Sequence, residues 1–129
     1  MRKTEDTSGS ALAVLPLGLY IHYPFCRERC FYCDFLTFPH AEALHVPYLS
    51  ALKKEIALLS QLAAQKKSPF LPSASYLVDS VYFGGGTPSL MPPETLASVL
   101  DALRANFSFA DDVEITMEVN PGTLLKDGL

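Results

Sequence analysis

Apolar and polar positions alternate in Leu17-Gly-Leu-Tyr-Ile-His22, a run bounded by Pro16 and Pro24. This period of two predicts a strand. Further on, Leu49, Leu52, Ile56, Leu59 and Ala63 recur at helical spacing and predict an amphipathic helix from about Val46 to Gln65. The segment from Lys66 to Ser75 holds two prolines and three serines and reads as a loop. Ser80-Val-Tyr-Phe83 predicts a short strand ending in three glycines. Pro92-Pro93-Glu94 is a helix-start signal, and Leu96, Val99, Leu100, Leu103 and Phe107 supply that helix with a buried face. Asp111-Asp112 reads as a turn before a third strand, Val113 to Val119, which alternates cleanly until Asn120-Pro121-Gly122.

The order strand, helix, strand, helix, strand predicts an α/β fold with a parallel sheet and right-handed crossovers. Parallel sheets of this kind carry their chemistry at the carboxyl ends of the strands. Residues 1–16 read as a flexible tail, and 17–129 as the N-terminal part of a core domain. Three parallel strands leave a sheet edge open, so a larger barrel is expected to complete it.

Composition narrows the function classes. With 129 residues, 49% hydrophobic and 19% charged, the chain can bury one core. The net charge of −4, with no Lys/Arg run longer than Lys66-Lys67, argues against nucleic acid as the main partner. No apolar run reaches the roughly 20 residues of a membrane span. Arg2 and Lys3 are followed by Glu5 and Asp6, and Pro16 interrupts the apolar stretch from Ala11 to Leu17, unlike an export or transit signal. With reduced cysteines, a cytoplasmic location is expected.

The three cysteines of the chain all fall in Cys26-Arg-Glu-Arg-Cys30-Phe-Tyr-Cys33. Three thiolates on one loop can hold three corners of an iron–sulfur cube, which normally takes four cysteines. The fourth iron is then left open, and an open coordination position is where a small molecule binds and reacts. Structural zinc usually takes two separated ligand pairs. Here His22, His40 or His45 would have to supply the fourth ligand. A disulfide framework wants an even number of cysteines in a secreted chain. Phe25, Phe31, Tyr32 and Phe35 crowd the loop and are expected to wall a cluster from water.

Strand parity sorts the remaining candidates. Tyr20 and His22 share one face of the first strand, while Glu114, Thr116 and Glu118 share one face of the third. If the apolar sets pack under the helices, Tyr20, His22 and Glu118 face the lumen of a barrel. A carboxylate there needs a hydrogen-bond partner, either a ligand group or a basic side chain. His22 reads equally as a cavity-lining or an interior histidine, and His40 and His45 as solvated. Gly84-Gly-Gly-Thr-Pro-Ser89 fits no phosphate-loop pattern. Its bare backbone suits the amino group of an amino acid, or else a plain tight turn.

The string Leu19-Tyr-Ile-His-Tyr-Pro-Phe-Cys26 through Cys33-Asp-Phe35, with Gly84-Gly-Gly-Thr-Pro-Ser89 and Glu118-Val-Asn-Pro121, resembles the HemN/HemW family of the radical S-adenosylmethionine (SAM) superfamily. That family comprises oxygen-independent coproporphyrinogen III oxidases and related heme chaperones. The resemblance covers about residues 17–129. It implies the N-terminal β-α-β-α-β portion of a radical SAM partial TIM-type barrel. It also implies a [4Fe–4S] cluster on Cys26, Cys30 and Cys33, with SAM on the open iron. SAM contacts would come from Tyr20, Tyr32, Gly85, Gly86, Thr87 and Glu118. The implied chemistry is one-electron reduction of SAM to methionine and a 5′-deoxyadenosyl radical that abstracts hydrogen. Heme or a porphyrinogen and an electron donor are the implied partners.

Asp34-Phe35 after the third cysteine resembles the heme-chaperone branch, whereas the oxidase branch usually continues with glycine and another cysteine. Oxidative decarboxylation of coproporphyrinogen III to protoporphyrinogen IX is the alternative activity, and an inactive fragment is a further one. Tyr23 stands where the family usually has isoleucine. The later barrel strands and C-terminal domain of the family lie beyond the span of this chain.

Overall fold

The computed structural model describes residues 13–123. Most of the expected N-terminal tail (1–12), and 124–129, lie outside the described residues. The elements in chain order are β1 (Val14–Tyr23), β2 (Phe25–Cys26), β3 (Phe38–Pro39), α1 (His45–Ala64), β4 (Ser75–Gly85), α2 (Pro93–Asn106) and β5 (Phe109–Met117). Strands β1, β4 and β5 form one parallel sheet in that spatial order. The parallel α/β alternation expected from the hydrophobic pattern is present. A second, two-residue parallel pair, β2 with β3, closes the base of the cysteine loop and has no signal in the sequence.

Helix α1 carries Pro47 in its first turn, where a missing N–H costs nothing. It ends in a Schellman turn: Lys67 N–H donates to Leu62 O at 2.8 Å and Lys66, at φ 55°, donates to Ala63 O at 3.0 Å. Helix α2 begins at Pro93, as the proline pair predicts. Both helices cover one face of the sheet. Ile21 and Tyr23 of β1 and Val78, Val81 and Phe83 of β4 meet Ile56 of α1 and Val99 and Leu103 of α2 in a single buried cluster. Each such side chain contributes about 1.5–3 kcal/mol on full burial. The opposite face is polar, with Tyr20, Tyr82 and Thr116 side by side in register.

Four sequence-based expectations change. The expected tail ends earlier, because β1 begins at Val14 and pairs Pro16 with Leu77. Proline is tolerated there because β1 is an edge strand with one unpaired side. Strand β4 starts at Ser75 rather than Ser80 and runs through Gly84 and Gly85. Asp111 and Asp112 lie within β5 rather than in a turn, at the place where its ladder with β4 slips register between Val78 and Ser80. A local bulge of this kind tolerates residues that otherwise break strands. His45, expected on the surface, packs on Phe25 with ring centroids 4.2 Å apart.

Candidate cofactor site

The carboxyl ends of β1, β4 and β5 converge on one open concavity of about 390 Å³. Cys30, Tyr32, Cys33 and Phe35 line it from the cysteine loop, Gly85, Gly86, Thr87 and Pro88 from the β4 turn, and Glu118, Val119 and Asn120 from the end of β5. Seven of the nine candidate residues are therefore brought together: Cys30, Cys33, Tyr32, Gly85, Gly86, Thr87 and Glu118. Tyr20 borders a separate apolar cavity beside β1 and α1. Cys26 lines a smaller hollow with Arg27, Glu42 and His45.

The donor set suits an iron–sulfur cluster, since soft thiolates select such centres and all three cysteines are free thiols. Among the described residues, however, no three His, Cys, Asp or Glu groups are gathered closely enough to hold a metal ion. Holding three corners of a cube requires Cys26, Cys30 and Cys33, which line two different hollows, to converge. The aromatic wall expected around the loop does not form. Phe25 is buried, but Phe31, Tyr32 and Phe35 are 101%, 77% and 65% exposed, because no other element of the described chain reaches over them. The Cys30 side chain, chiefly by hydrogen bonding, raises the Tyr32 phenol above its ordinary range.

The glycine turn is seated on the root of the cysteine loop. Gly86 N–H donates to Tyr23 O at 2.7 Å and Thr87 N–H to Phe25 O at 2.8 Å. A β-carbon on Gly86 would stand 2.5 Å from Phe25 O, so no larger residue fits this close approach. Those two amides are spent inside the protein. Backbone carbonyls are acceptors and suit an ammonium group.

Glu118 has a partner on the neighbouring strand. Tyr82 O–H donates to Glu118 Oε1 at 3.0 Å, and this bond raises the Tyr82 phenol above its ordinary range. The basic partner considered for Glu118 is thus absent from its hydrogen bonds among the described residues. Ser89 ties the two walls together: Asn120 N–H donates to Ser89 Oγ at 3.2 Å, and Ser89 also bonds the Thr123 hydroxyl. Sequence reasoning missed this tie, since nothing local to Ser89 signals a partner more than thirty residues away.

An α/β core with a cysteine loop, a glycine turn and an acidic strand end around one hollow resembles the radical SAM class. The fold matches coproporphyrinogen III oxidase (HemN) from Escherichia coli, titled a radical SAM enzyme, with a TM-score of 0.73 and 31% identity over 87% of this chain and 24% of that one. Among curated proteins, the chain is 43% identical over 109 residues to heme chaperone HemW of Mycobacterium tuberculosis, covering 82% of this chain and 25% of the relative. It is 36% identical over 121 residues to oxygen-independent coproporphyrinogen III oxidase of Bradyrhizobium diazoefficiens, covering 90% and 25%. No family model matches. The chain is homologous to the N-terminal part of the HemN/HemW family of the radical SAM superfamily. It spans about a quarter of the length of these relatives. No helix among the described residues is long and apolar enough to cross a membrane.

Proposed function

We propose that this chain provides the cofactor-binding floor of a radical SAM protein of porphyrin metabolism, acting in the cytoplasm. Cys26, Cys30 and Cys33 would hold a [4Fe–4S] cluster, and Tyr20, Tyr32, Gly85, Gly86, Thr87 and Glu118 would bind SAM. The observation that carries this reading is the single concavity shared by two cysteines, the glycine turn and Glu118. When bound, the cluster supplies a single electron to SAM. The chain's own groups do the holding. The turn's carbonyls would accept from the ammonium of SAM, and Glu118, held by Tyr82, would offer its second oxygen to a ligand donor. Tyr32 supplies an exposed ring at the rim.

Within the family, the oxidase branch is supported by the fold match to HemN and by the B. diazoefficiens relative. The chaperone branch is supported by Asp34-Phe35 and the M. tuberculosis relative. The fold match makes the oxidase the better-supported branch. In both, heme or a porphyrinogen is the larger ligand and an electron donor is the partner.

Anaerobic reconstitution with iron and sulfide tests the core of the reading. Iron and sulfide analysis with Mössbauer spectroscopy should find about four of each per chain, lost when any of the three cysteines becomes alanine. Stoichiometric zinc uptake without iron would overturn it. Decarboxylation of coproporphyrinogen III with SAM and a reductant separates the branches, and heme binding without turnover favours the chaperone.

A further inference from the structure

His22 sits on the polar face of β1, where its ring is engaged at both nitrogens. Its Nε2 lies 2.9 Å from Leu36 O, and its Nδ1 lies 3.0 Å from the Tyr20 hydroxyl. A carbonyl can only accept, so Nε2 carries the proton. In the neutral ring Nδ1 is then the acceptor, and the Tyr20 O–H donates to it. One tautomer satisfies both bonds.

The surroundings are shaped for this ring. Tyr48 of α1 donates to the His22 backbone carbonyl, which fixes the residue from the helix side. Gly85, at φ +113°, passes so close that a β-carbon there would stand 2.9 Å from His22 Nδ1 and Cε1. Tyr20 in turn stacks on Tyr82, with centroids 6.1 Å apart and planes 23° apart, and Tyr82 holds Glu118. Leu36 belongs to the segment that returns from Cys33 toward β3, so the far end of the cysteine loop and the aromatic floor of the sheet meet at one imidazole.

We propose that His22 is a positioning residue. As the Nε2–H tautomer it locks the Leu36 end of the cysteine loop to Tyr20, so that the loop and the Tyr20–Tyr82–Glu118 array keep a common register. Its consequence for SAM rests on the cofactor reading above; the lock itself does not.

Two substitutions separate its bonds. His22→Gln places an amide near Nε2, keeping a donor for Leu36 and losing the acceptor for Tyr20. His22→Asn places an amide oxygen near Nδ1 and cannot reach Leu36. Arg27 and Arg29 make the loop a trypsin target. Losing one anchoring bond predicts cleavage of the reduced, cluster-free chain roughly three- to tenfold faster in His22→Asn. His22→Gln should cleave like the parent. Independently of any variant, ¹⁵N NMR of the histidine-labelled parent at about pH 8, above the ordinary histidine range, should show a protonated Nε2 and an unprotonated Nδ1. The opposite tautomer, an averaged ring, or a His22→Asn chain cleaved at the parental rate would overturn the lock. In the cluster-loaded chain both variants should bind SAM several-fold more weakly than the parent. Parental affinity in both would overturn the positioning role. A parent that binds no SAM, while tautomer and proteolysis behave as expected, would sink the cofactor reading and leave the lock standing.

Discussion

Replacing Gly86 by alanine isolates the seating of the glycine turn on the cysteine loop. The new β-carbon would meet Phe25 O at 2.5 Å, Phe25 C at 2.8 Å and Pro24 C at 2.9 Å, all of them backbone atoms with no rotamer to retreat into. Ordinary van der Waals contact begins near 3.5 Å, so the two segments must part by roughly 1 Å. That stretches the Gly86-to-Tyr23 and Thr87-to-Phe25 bonds, now 2.7 and 2.8 Å, beyond useful hydrogen-bond length. Two bonds weakened at about 0.5–1.5 kcal/mol each, with overpacking of about 1–3 kcal/mol, give a loss of about 2–6 kcal/mol. A loss of that size lowers the melting temperature by on the order of 10 °C. Urea unfolding followed by circular dichroism, on the reduced chain, measures it. Gly122→Ala is the control, since its β-carbon would meet only Asn120 Oδ1 at 3.6 Å, and a change within about 0.5 kcal/mol is expected. A Gly86→Ala chain as stable as this control would show that the close approach is not what the turn is built around.

Glu118→Gln should weaken SAM binding to the cluster-loaded chain roughly tenfold or more, the worth of a hydrogen bond involving a charged group, with iron content unchanged. Equal affinity by anaerobic equilibrium dialysis would leave Glu118 a purely structural partner of Tyr82. Tyr23→Phe removes a buried hydroxyl with no protein partner among the described residues and should raise stability by about 1 kcal/mol; a clear loss in urea titrations would reveal a partner. Burial pushes the Tyr48 phenol up to about 12. Its folded value thus lies above the unfolded one near 10, so its contribution is complete below about pH 10 and is lost as pH rises toward 12. Urea midpoints should fall across that window and fall less in Tyr48→Phe, whereas equal slopes would count against the linkage. On iron–sulfide reconstitution, slowed hydrogen exchange should be confined to residues 27–35, and protection gained throughout the sheet would contradict a pre-formed scaffold.

Much of the scaffold was legible because its periodicities are clean. The alternation Leu19, Ile21 against Tyr20, His22 assigned both faces of β1 correctly, with Ile21 buried and Tyr20 58% exposed. The i, i+3, i+4 pattern placed Ile56, Val99 and Leu103 in the core. Strand ends were misread wherever a breaker residue stands in a tolerant place: Pro16 on an edge strand, and Asp111-Asp112 at a register slip. Local composition cannot show that a neighbouring ladder is open or irregular. Candidate residues that follow strands at the same sheet end line one hollow. Where side-chain direction within a loop decides, as for Cys26 and the exposed rings of Phe31 and Phe35, position in the chain is no guide. The Tyr20–His22 pair carried a signal, two polar rings two apart on one strand face. The Leu36 carbonyl that completes it is non-local and has none.

The cysteine loop is held at its ends and little constrained between them. At its root Phe25 is buried, Phe25 O accepts from Thr87, and Phe38 N–H donates to Pro24 O at 2.7 Å, so β2 and β3 pinch the two stems together. At its return His22 holds Leu36. Between the stems, the hydrogen bonds described are Cys33 N–H to Cys30 O at 2.9 Å and Arg29 to Cys33 O at 3.3 Å, both within the loop itself. Cys26 closes the β2 stem, whereas Cys30 and Cys33 lie in the crown, so swinging those two toward Cys26 breaks no bond to the sheet. Its cost is the conformational entropy of a few loop residues, about 1–2 kcal/mol for each backbone unit newly fixed. Metal–thiolate binding free energies in small protein sites are about 10 kcal/mol or more, enough to offset that ordering. A loop with clamped stems and a free crown can thus present three thiols that lie apart without ligand and converge around one.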